Sequence, residues 1–178
     1  MRMLTVLILI LFSTSVWGQS LEETRRLAKQ GNTDGQLRLG LMYRDGAGVP
    51  QDDIEAVKWF CKLAVQGYTE GQVNMGLMYR EGRGVSQDYA EAMKWFRMAA
   101  NQGNAVGQRG LGVMYEEGNG VPRNYRRAHM WYNIAVSLGD RTASIVMESL
   151  EGIMTAADIN TAQQLARRCL QSNYKDCD

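Results

Sequence analysis

The sequence predicts an all-α fold, a right-handed α-solenoid of antiparallel helix pairs, and three observations carry this prediction. The same residues recur at a period of 36, apolar residues between them follow helical spacing, and helix-capping residues stand at fixed places in each unit. The recurring signature comprises Gly40, Gly76 and Gly112, then Tyr43, Tyr79 and Tyr115, then Trp59, Trp95 and Trp131. A fixed period of this length is typical of supersecondary units that bury a core by stacking on one another.

Each unit is predicted to contain two helices, A and B. In the first unit helix A covers roughly Thr33 to Arg44, and Gly46 follows as a left-handed C-cap. Asp52 then offers an N-cap to helix B, and Glu55 stands in capping-box position three residues later. The apolar stripe of helix B is formed by Ala56, Trp59, Phe60, Leu63 and Ala64.

Three glycines lie inside the predicted A helices, at Gly40, Gly76 and Gly112. Glycine in a helix interior costs about 1 kcal/mol relative to alanine, so its repeated use needs a structural reason. We expect a close contact between the two helices of each unit, with no room for a side chain beside the tryptophan of helix B.

The three units read LGLMYRDGAGVPQDDIEAVKWF, MGLMYREGRGVSQDYAEAMKWF and LGVMYEEGNGVPRNYRRAHMWY. These motifs resemble the Sel-one-like repeat family, a relative of the tetratricopeptide repeats. The resemblance implies three repeats over 31–138 in a single domain over 19–178, capping helices over 20–30 and 139–171, and helix A on the concave face. One departure is the glycine at Gly35, Gly71 and Gly107, where the family more often has alanine, and we expect it to weaken the start of helix A.

Residues 1–18 are predicted to form a signal peptide that is cleaved after Gly18. Arg2 precedes a short apolar run, and small residues stand near the cleavage point. An uncleaved membrane anchor is the alternative, but the run is shorter than the roughly 20 apolar residues that span a bilayer. We therefore expect a periplasmic or secreted chain with no stable membrane span after cleavage.

The chain contains three cysteines, Cys61, Cys169 and Cys177. In an oxidising compartment we expect a disulfide between Cys169 and Cys177, because exported proteins seldom keep two nearby free thiols. The alternative is two free thiols in a frayed tail. With the disulfide formed, Cys61 would be the odd cysteine.

No catalytic set is visible, and we expect no enzyme activity, metal or cofactor. His129 is the single histidine and is predicted to be structural, and the sequence has neither a CxxC pair nor an HExxH motif. The charged residues are intermixed, with no basic stripe of the kind that binds nucleic acid. The alternative is a cell-wall-associated hydrolase or penicillin-binding module, which rests on the S-x-x-K string from Ser172 to Lys175 and on analogy with cysteine-rich relatives.

The predicted function is that of an exported, non-enzymatic scaffold that binds an unidentified partner protein or peptide. Positions of helix A that vary between repeats are free to serve a partner, whereas invariant positions are explained by packing. The predicted recognition strip consists of Arg38, Arg44, Asn74, Arg80, Arg109 and Glu116. A solvated face without a partner and an end-to-end assembly subunit remain as alternatives.

Overall fold

The computed structural model describes residues 21–177, so the predicted signal peptide over 1–18 lies outside the described residues. Within 21–177 all the regular elements are helices, and the first of them, α1, covers 21–29. The others are α2 (Thr33–Asp45), α3 (Asp53–Val65), α4 (Thr69–Glu81), α5 (Tyr89–Ala100), α6 (Ala105–Glu117), α7 (Tyr125–Ser137), α8 (Arg141–Glu151) and α9 (Ala156–Gln171). The predicted all-α repeat fold is therefore confirmed.

The helices form three consecutive A–B pairs, α2 with α3, α4 with α5 and α6 with α7. Each B helix also packs on the next A helix, so the pairs stack in chain order into a solenoid. The A helices α4 and α6 contact each other directly, as expected if A helices line the inner side. At the C-terminal end α7 packs against both α8 and α9, which close the stack.

The turn between the helices of a pair is built the same way three times. Gly46 ends α2 in the left-handed conformation, with φ of 68°, and its N–H donates to the carbonyl oxygen of Met42. The carboxylate of Asp52 then caps α3 by accepting from the N–H of Glu55. The equivalent residues are Gly82 and Asp88 in the second pair and Gly118 and Asn124 in the third.

The predicted capping box is only half formed. The backbone N–H of Asp52 donates to the carbonyl oxygen of Tyr43 at 2.9 Å, and Glu55 instead pairs with Lys58. The same backbone bond joins Asp88 to Tyr79 and Asn124 to Tyr115. The cap residue therefore links the start of helix B to the end of helix A. Because its N–H is already used in this bond, a glutamate three residues later is not needed as an acceptor, and α7 has Arg127 at that position.

The glycines inside the A helices do permit a close contact, but the predicted partner was wrong. A Cβ on Gly40 would lie 2.6 Å from Cε1 of Phe60, and one on Gly76 would lie 2.6 Å from Cε1 of Phe96. In the third pair Gly112 faces Tyr132 in the same way. The ring that fills this space belongs to the residue after the tryptophan, because successive helical residues point about 100° apart.

The glycines near the start of the A helices also have a packing role. A Cβ on Gly71 would lie 2.5 Å from the backbone nitrogen of Ala64 in α3, and one on Gly35 would lie 2.8 Å from the nitrogen of Ala28. We expected these glycines to weaken the start of helix A, but the A helices begin ahead of them, at Thr33, Thr69 and Ala105. Glycine here lets each A helix rest directly on the end of the preceding helix.

The three signature tryptophans are not equally buried. Trp131 is fully buried, whereas Trp59 and Trp95 are half-buried. The outer side of α7 is shielded from solvent because α8 and α9 pack on it. Among the described residues, the outer sides of α3 and α5 have no such cover. Arg97 and Lys62 partly shield the rings of Trp131 and Trp59 by cation–π contact.

The C-terminal tail is fixed to α9 by a disulfide between Cys169 and Cys177, which confirms that prediction. Both cysteines are buried and belong to the core cluster that includes Trp131. Cys61 is free and half-buried. Among residues 21–177, no helix combines the length and the apolar character that a membrane crossing requires.

Candidate protein-interaction surface

The predicted recognition strip divides into residues that hold the solenoid together and residues that face solvent. Arg44 belongs to the first group, because its Nη1 donates to Oδ1 of Asn74 in the next repeat at 2.9 Å. Its guanidinium also pairs with Asp45 at 2.7 Å, and this hydrogen bond holds the pKa of Asp45 below its ordinary value. Asn74 is buried and donates in turn to the carbonyl oxygen of Glu70.

Arg109 also makes an internal link. Its Nε donates to Oδ2 of Asp140 at 2.8 Å, which joins α6 to the start of α8. Asp140 caps α8 through the N–H of Ala143. Burial disfavours the charged form of Asp140, but the hydrogen bonds from Arg109 and Ala143 outweigh it and hold the pKa of Asp140 below its ordinary value.

Glu116 is the acceptor of a buried hydroxyl. Tyr132 donates its O–H to Oε2 of Glu116 at 2.5 Å. Burial raises the pKa of the Tyr132 hydroxyl, and the hydrogen bond to Glu116 raises it further. This pair links α6 to α7 beside the contact between Gly112 and Tyr132.

Arg38 and Arg80 are the other two members of the strip. Arg38 is exposed and lines a cavity of about 290 Å³ together with Glu23 and Thr24 of α1. Arg80 is half-buried and donates to Oε1 of the adjacent Glu81 at 3.0 Å. The strip therefore does not form one continuous surface, and four of its six members take part in contacts between helices.

A surface feature that the sequence analysis missed lies at the N-terminal ends of α2, α4, α6 and α8. Three of the four residues that precede α2, α4, α6 and α8 cap the helix with a side-chain oxygen, namely Asn32, Asn104 and Asp140. The fourth is Tyr68, which makes no side-chain cap bond to α4 and leaves 44% of its surface exposed. Comparing these four positions in the sequence would have identified Tyr68 as the exception.

Tyr68 lines a cavity of about 220 Å³ between the starts of α2 and α4. The other lining residues are Thr33, Asp34, Leu37, Leu63 and Glu70. The carboxylate of Asp34 has no ion pair within residues 21–177, and that of Glu70 accepts only a hydrogen bond from Thr69 at 3.3 Å. An aromatic ring, an apolar floor and two carboxylates can accept a side chain with an apolar stem and a positive head. We name these six residues the Tyr68 cavity.

The remaining candidates for chemistry are built into the fold. His129 is fully buried, and its Nε2 lies 2.7 Å from Oε1 of Glu151, so the histidine has a partner that the sequence did not reveal. Ser172, of the S-x-x-K string, donates to the carbonyl oxygen of Cys169 and accepts from the N–H of Asp176. Its hydroxyl closes a turn after α9 and does not start a helix. No group of His, Cys, Asp and Glu side chains within 21–177 is arranged to hold a metal ion.

The stacked helix pairs and their solvent-facing cavities define a helical-repeat protein. The sequence matches the Sel1 repeat over residues 33–68, 69–104 and 105–140, and the chain belongs to the Sel1 repeat family. Proteins of this family are generally scaffolds for protein–protein interaction and are typically non-catalytic. No curated protein matches the chain in a sequence comparison.

Two solved structures show the same fold. One is a protective antigen of uropathogenic Escherichia coli strains that displays an SLR fold, with 40% identity and a TM-score of 0.73 over 88% of this chain and 34% of that chain. The other is a Sel1 repeat protein from Oxalobacter formigenes, with 33% identity and a TM-score of 0.61 over 74% of this chain and 98% of that chain. The chain thus spans about a third of the length of the Escherichia coli antigen.

Proposed function

We propose that this chain is an exported, non-enzymatic scaffold that binds a partner protein or peptide on the surface of its A helices. The contact is centred on the Tyr68 cavity and extends toward the exposed Arg38 and the half-buried Arg80. The proposal rests on the family, whose members generally bind proteins, and on the side chains that the A helices leave at the surface.

The observation that carries the proposal is the replacement of a helix cap by an exposed aromatic ring. An N-cap side chain of Asn or Asp contributes about 1 kcal/mol to stability, and Tyr68 gives up this contribution at α4. Exposed tyrosine is common at the centre of protein interfaces because its ring buries much area at little entropic cost. A residue that lowers stability and presents a ring to solvent is best explained by a contact with another molecule.

The surroundings of Tyr68 define the chemistry of the partner. Asp34 and Glu70 place negative charge at the rim of the cavity, and Leu37 and Leu63 supply apolar surface. A lysine or arginine of the partner would lay its apolar stem on Leu37 and place its charge between the ring and the carboxylates. We therefore propose a partner segment that inserts a basic side chain at this point.

Export is proposed from the sequence of residues 1–18 and from the disulfide between Cys169 and Cys177, which suits an oxidising compartment. The mature chain would then be a single domain over 19–178, located in the periplasm or secreted. This part of the proposal is independent of the Tyr68 cavity and can fail without affecting it.

Affinity capture from the exported fraction tests the proposal. The bait is the chain expressed with its own first 18 residues, followed by mass spectrometry of what is retained. We expect a stoichiometric partner that is retained by the wild type and lost with Tyr68→Asn. Ile145→Asn is the matched control, because Ile145 is 70% exposed on α8, which contributes no residue to the Tyr68 cavity.

The two variants distinguish a specific contact from exposed apolar surface. A partner that both variants retain, or that both lose, would contradict a contact centred on Tyr68. Retention of no partner under mild crosslinking would contradict the scaffold function itself.

A further inference from the structure

The start of α7 carries the opposite charge from the starts of the other B helices. The first turn of α3 contains Asp53 and Glu55, and that of α5 contains Glu91. The first turn of α7 contains no acidic residue, and Arg126 follows its first residue. No acidic residue occurs in the sequence from 118 to 139. Positive charge at the positive end of a helix dipole is unfavourable, so this reversal needs a compensating interaction.

Not every arginine at this point is available for a partner. Arg127 donates to the hydroxyl oxygen of Tyr115 at 3.3 Å and lies over its ring, so it belongs to the packing of α7 on α6. Arg123 and Arg126 are exposed. Arg123 lies 5.5 Å from the ring centre of Tyr125, and Arg126 has one ion pair, with Asp158 at 3.7 Å. Both members of that pair are about half exposed, so the single carboxylate compensates the two charges weakly.

These two arginines line a groove of about 400 Å³ between the start of α7 and the turn that joins α8 to α9. The opposite wall consists of Ile153, Met154, Thr155 and Asp158, and Ile153 is 66% exposed. The groove therefore has a basic wall with two arginines and a facing wall that carries apolar side chains and one carboxylate, so positive charge is in excess. It lies at the B-helix starts, on the opposite edge of the solenoid from the Tyr68 cavity at the A-helix starts.

We propose that this groove is a second docking surface, which binds an acidic segment of a protein. Carboxylates of the segment pair with Arg123 and Arg126, where the guanidinium groups can each form two parallel hydrogen bonds, and an apolar side chain of the segment covers Ile153. The inference rests on the proposed scaffold function only in that the ligand is a protein. The groove lies on the opposite edge of the solenoid from the Tyr68 cavity, and its ligand is acidic where that of the Tyr68 cavity is basic.

The test uses a short fluorescein-labelled peptide of Asp and Glu with one Leu, and the full mature chain. Binding is measured by fluorescence anisotropy at low and at physiological ionic strength. We expect saturable binding that weakens with salt and falls at least about tenfold in Arg123→Glu/Arg126→Glu. The control variant is Arg141→Glu/Arg167→Glu, which reverses two exposed arginines roughly 16 Å along α8 and α9 from the groove and should bind within about twofold of wild type.

Three results would overturn the inference. Equal binding of a peptide with Gln and Asn in place of the acids would remove the role of charge. Equal loss in the control variant would show a general charge effect. Tighter binding of a single-stranded oligonucleotide or of anionic vesicles than of the peptide would assign the groove to another class of ligand. Circular dichroism of each variant confirms that a loss of binding does not reflect unfolding.

The outcome is separable from that of the proposed function. Tyr68→Asn should leave acidic-peptide binding unchanged, and Arg123→Glu/Arg126→Glu should leave capture of the partner at the A helices unchanged. Failure at either surface therefore leaves the test of the other intact.

Discussion

Arg44 in the first repeat donates a hydrogen bond to Asn74 in the second, with 2.9 Å between Nη1 and Oδ1. At the next junction the same two positions hold Arg80 and Gly110, and glycine has no side chain to accept the bond. The two junctions can therefore be compared, because this particular hydrogen bond is present at the first and absent at the second. A sequence position that varies between repeats can serve the solenoid itself as well as a partner.

Charge reversal at these two arginines should therefore have unequal effects. Arg44→Glu removes the bond to the buried Asn74 and places a carboxylate beside Asp45, and we expect the free energy of unfolding to fall by about 1–2 kcal/mol. Arg80→Glu loses only a surface pair with Glu81 and should cost less than about 0.5 kcal/mol. Urea unfolding of both variants measures the difference, and equal costs would contradict the role assigned to Asn74.

The contact between Gly76 and Phe96 predicts that added volume is destabilising. Gly76→Ala places a Cβ 2.6 Å from the ring of Phe96, and we expect a loss of about 1–3 kcal/mol in spite of the better helix propensity of alanine. Phe96→Leu in the same chain should relieve the clash, so the two changes together should cost less than the sum of their separate costs. Additive costs in denaturant unfolding would show that the ring does not restrict this position.

The disulfide should contribute measurably to the C-terminal end of the stack. Cys169→Ser/Cys177→Ser opens a loop with a sequence separation of 8, and the chain-entropy estimate for such a loop is about 2–3 kcal/mol. Cys61→Ser provides the control, because that cysteine is free and half-buried. Thermal unfolding with and without reductant measures the effect, which should appear in wild type and in Cys61→Ser and vanish in the double variant.

Asp140 predicts part of the acid sensitivity of the fold. Its pKa is lower in the folded chain than the ordinary value of 3.8, so its contribution to stability is complete above that value and is lost as pH falls through the lowered pKa. Asp140→Asn keeps an acceptor for the N–H of Ala143 and loses the charge that pairs with Arg109. We expect it to lower stability at neutral pH by about 1 kcal/mol and to flatten the fall in stability below pH 4. An unchanged slope in that range would contradict the assignment.

Much of the fold followed from the sequence because its signals are local. The left-handed turns at Gly46, Gly82 and Gly118 and the caps at Asp52 and Asp88 depend on residues a few positions apart. The partner of Gly40 was misassigned because Trp59 and Phe60 are adjacent aromatic residues. Which of the two rings faces Gly40 depends on the rotation of helix B to within one residue, and the sequence does not define it that closely.

Contacts between repeats could not be predicted because they depend on how far each pair is rotated and shifted relative to the next. The links from Arg44 to Asn74 and from Arg109 to Asp140 join positions about thirty residues apart, and no local rule relates them. The contact between the buried His129 and the half-buried Glu151 has the same character, since it joins α7 to α8. Tyr68 is different, because an alignment of the four cap positions would have revealed it from the sequence.

The most direct test of the interaction surface is a parallel measurement of stability and partner affinity in Tyr68→Asn. Asparagine at this position can accept from the N–H of Gly71, as Asn32 does from Gly35, so the thermal midpoint should rise by about 2–4 °C. Loss of the exposed ring should at the same time weaken binding of the captured partner at least about tenfold. A higher midpoint with unchanged affinity would show that Tyr68 does not contact the partner, and this result would contradict the account of the Tyr68 cavity.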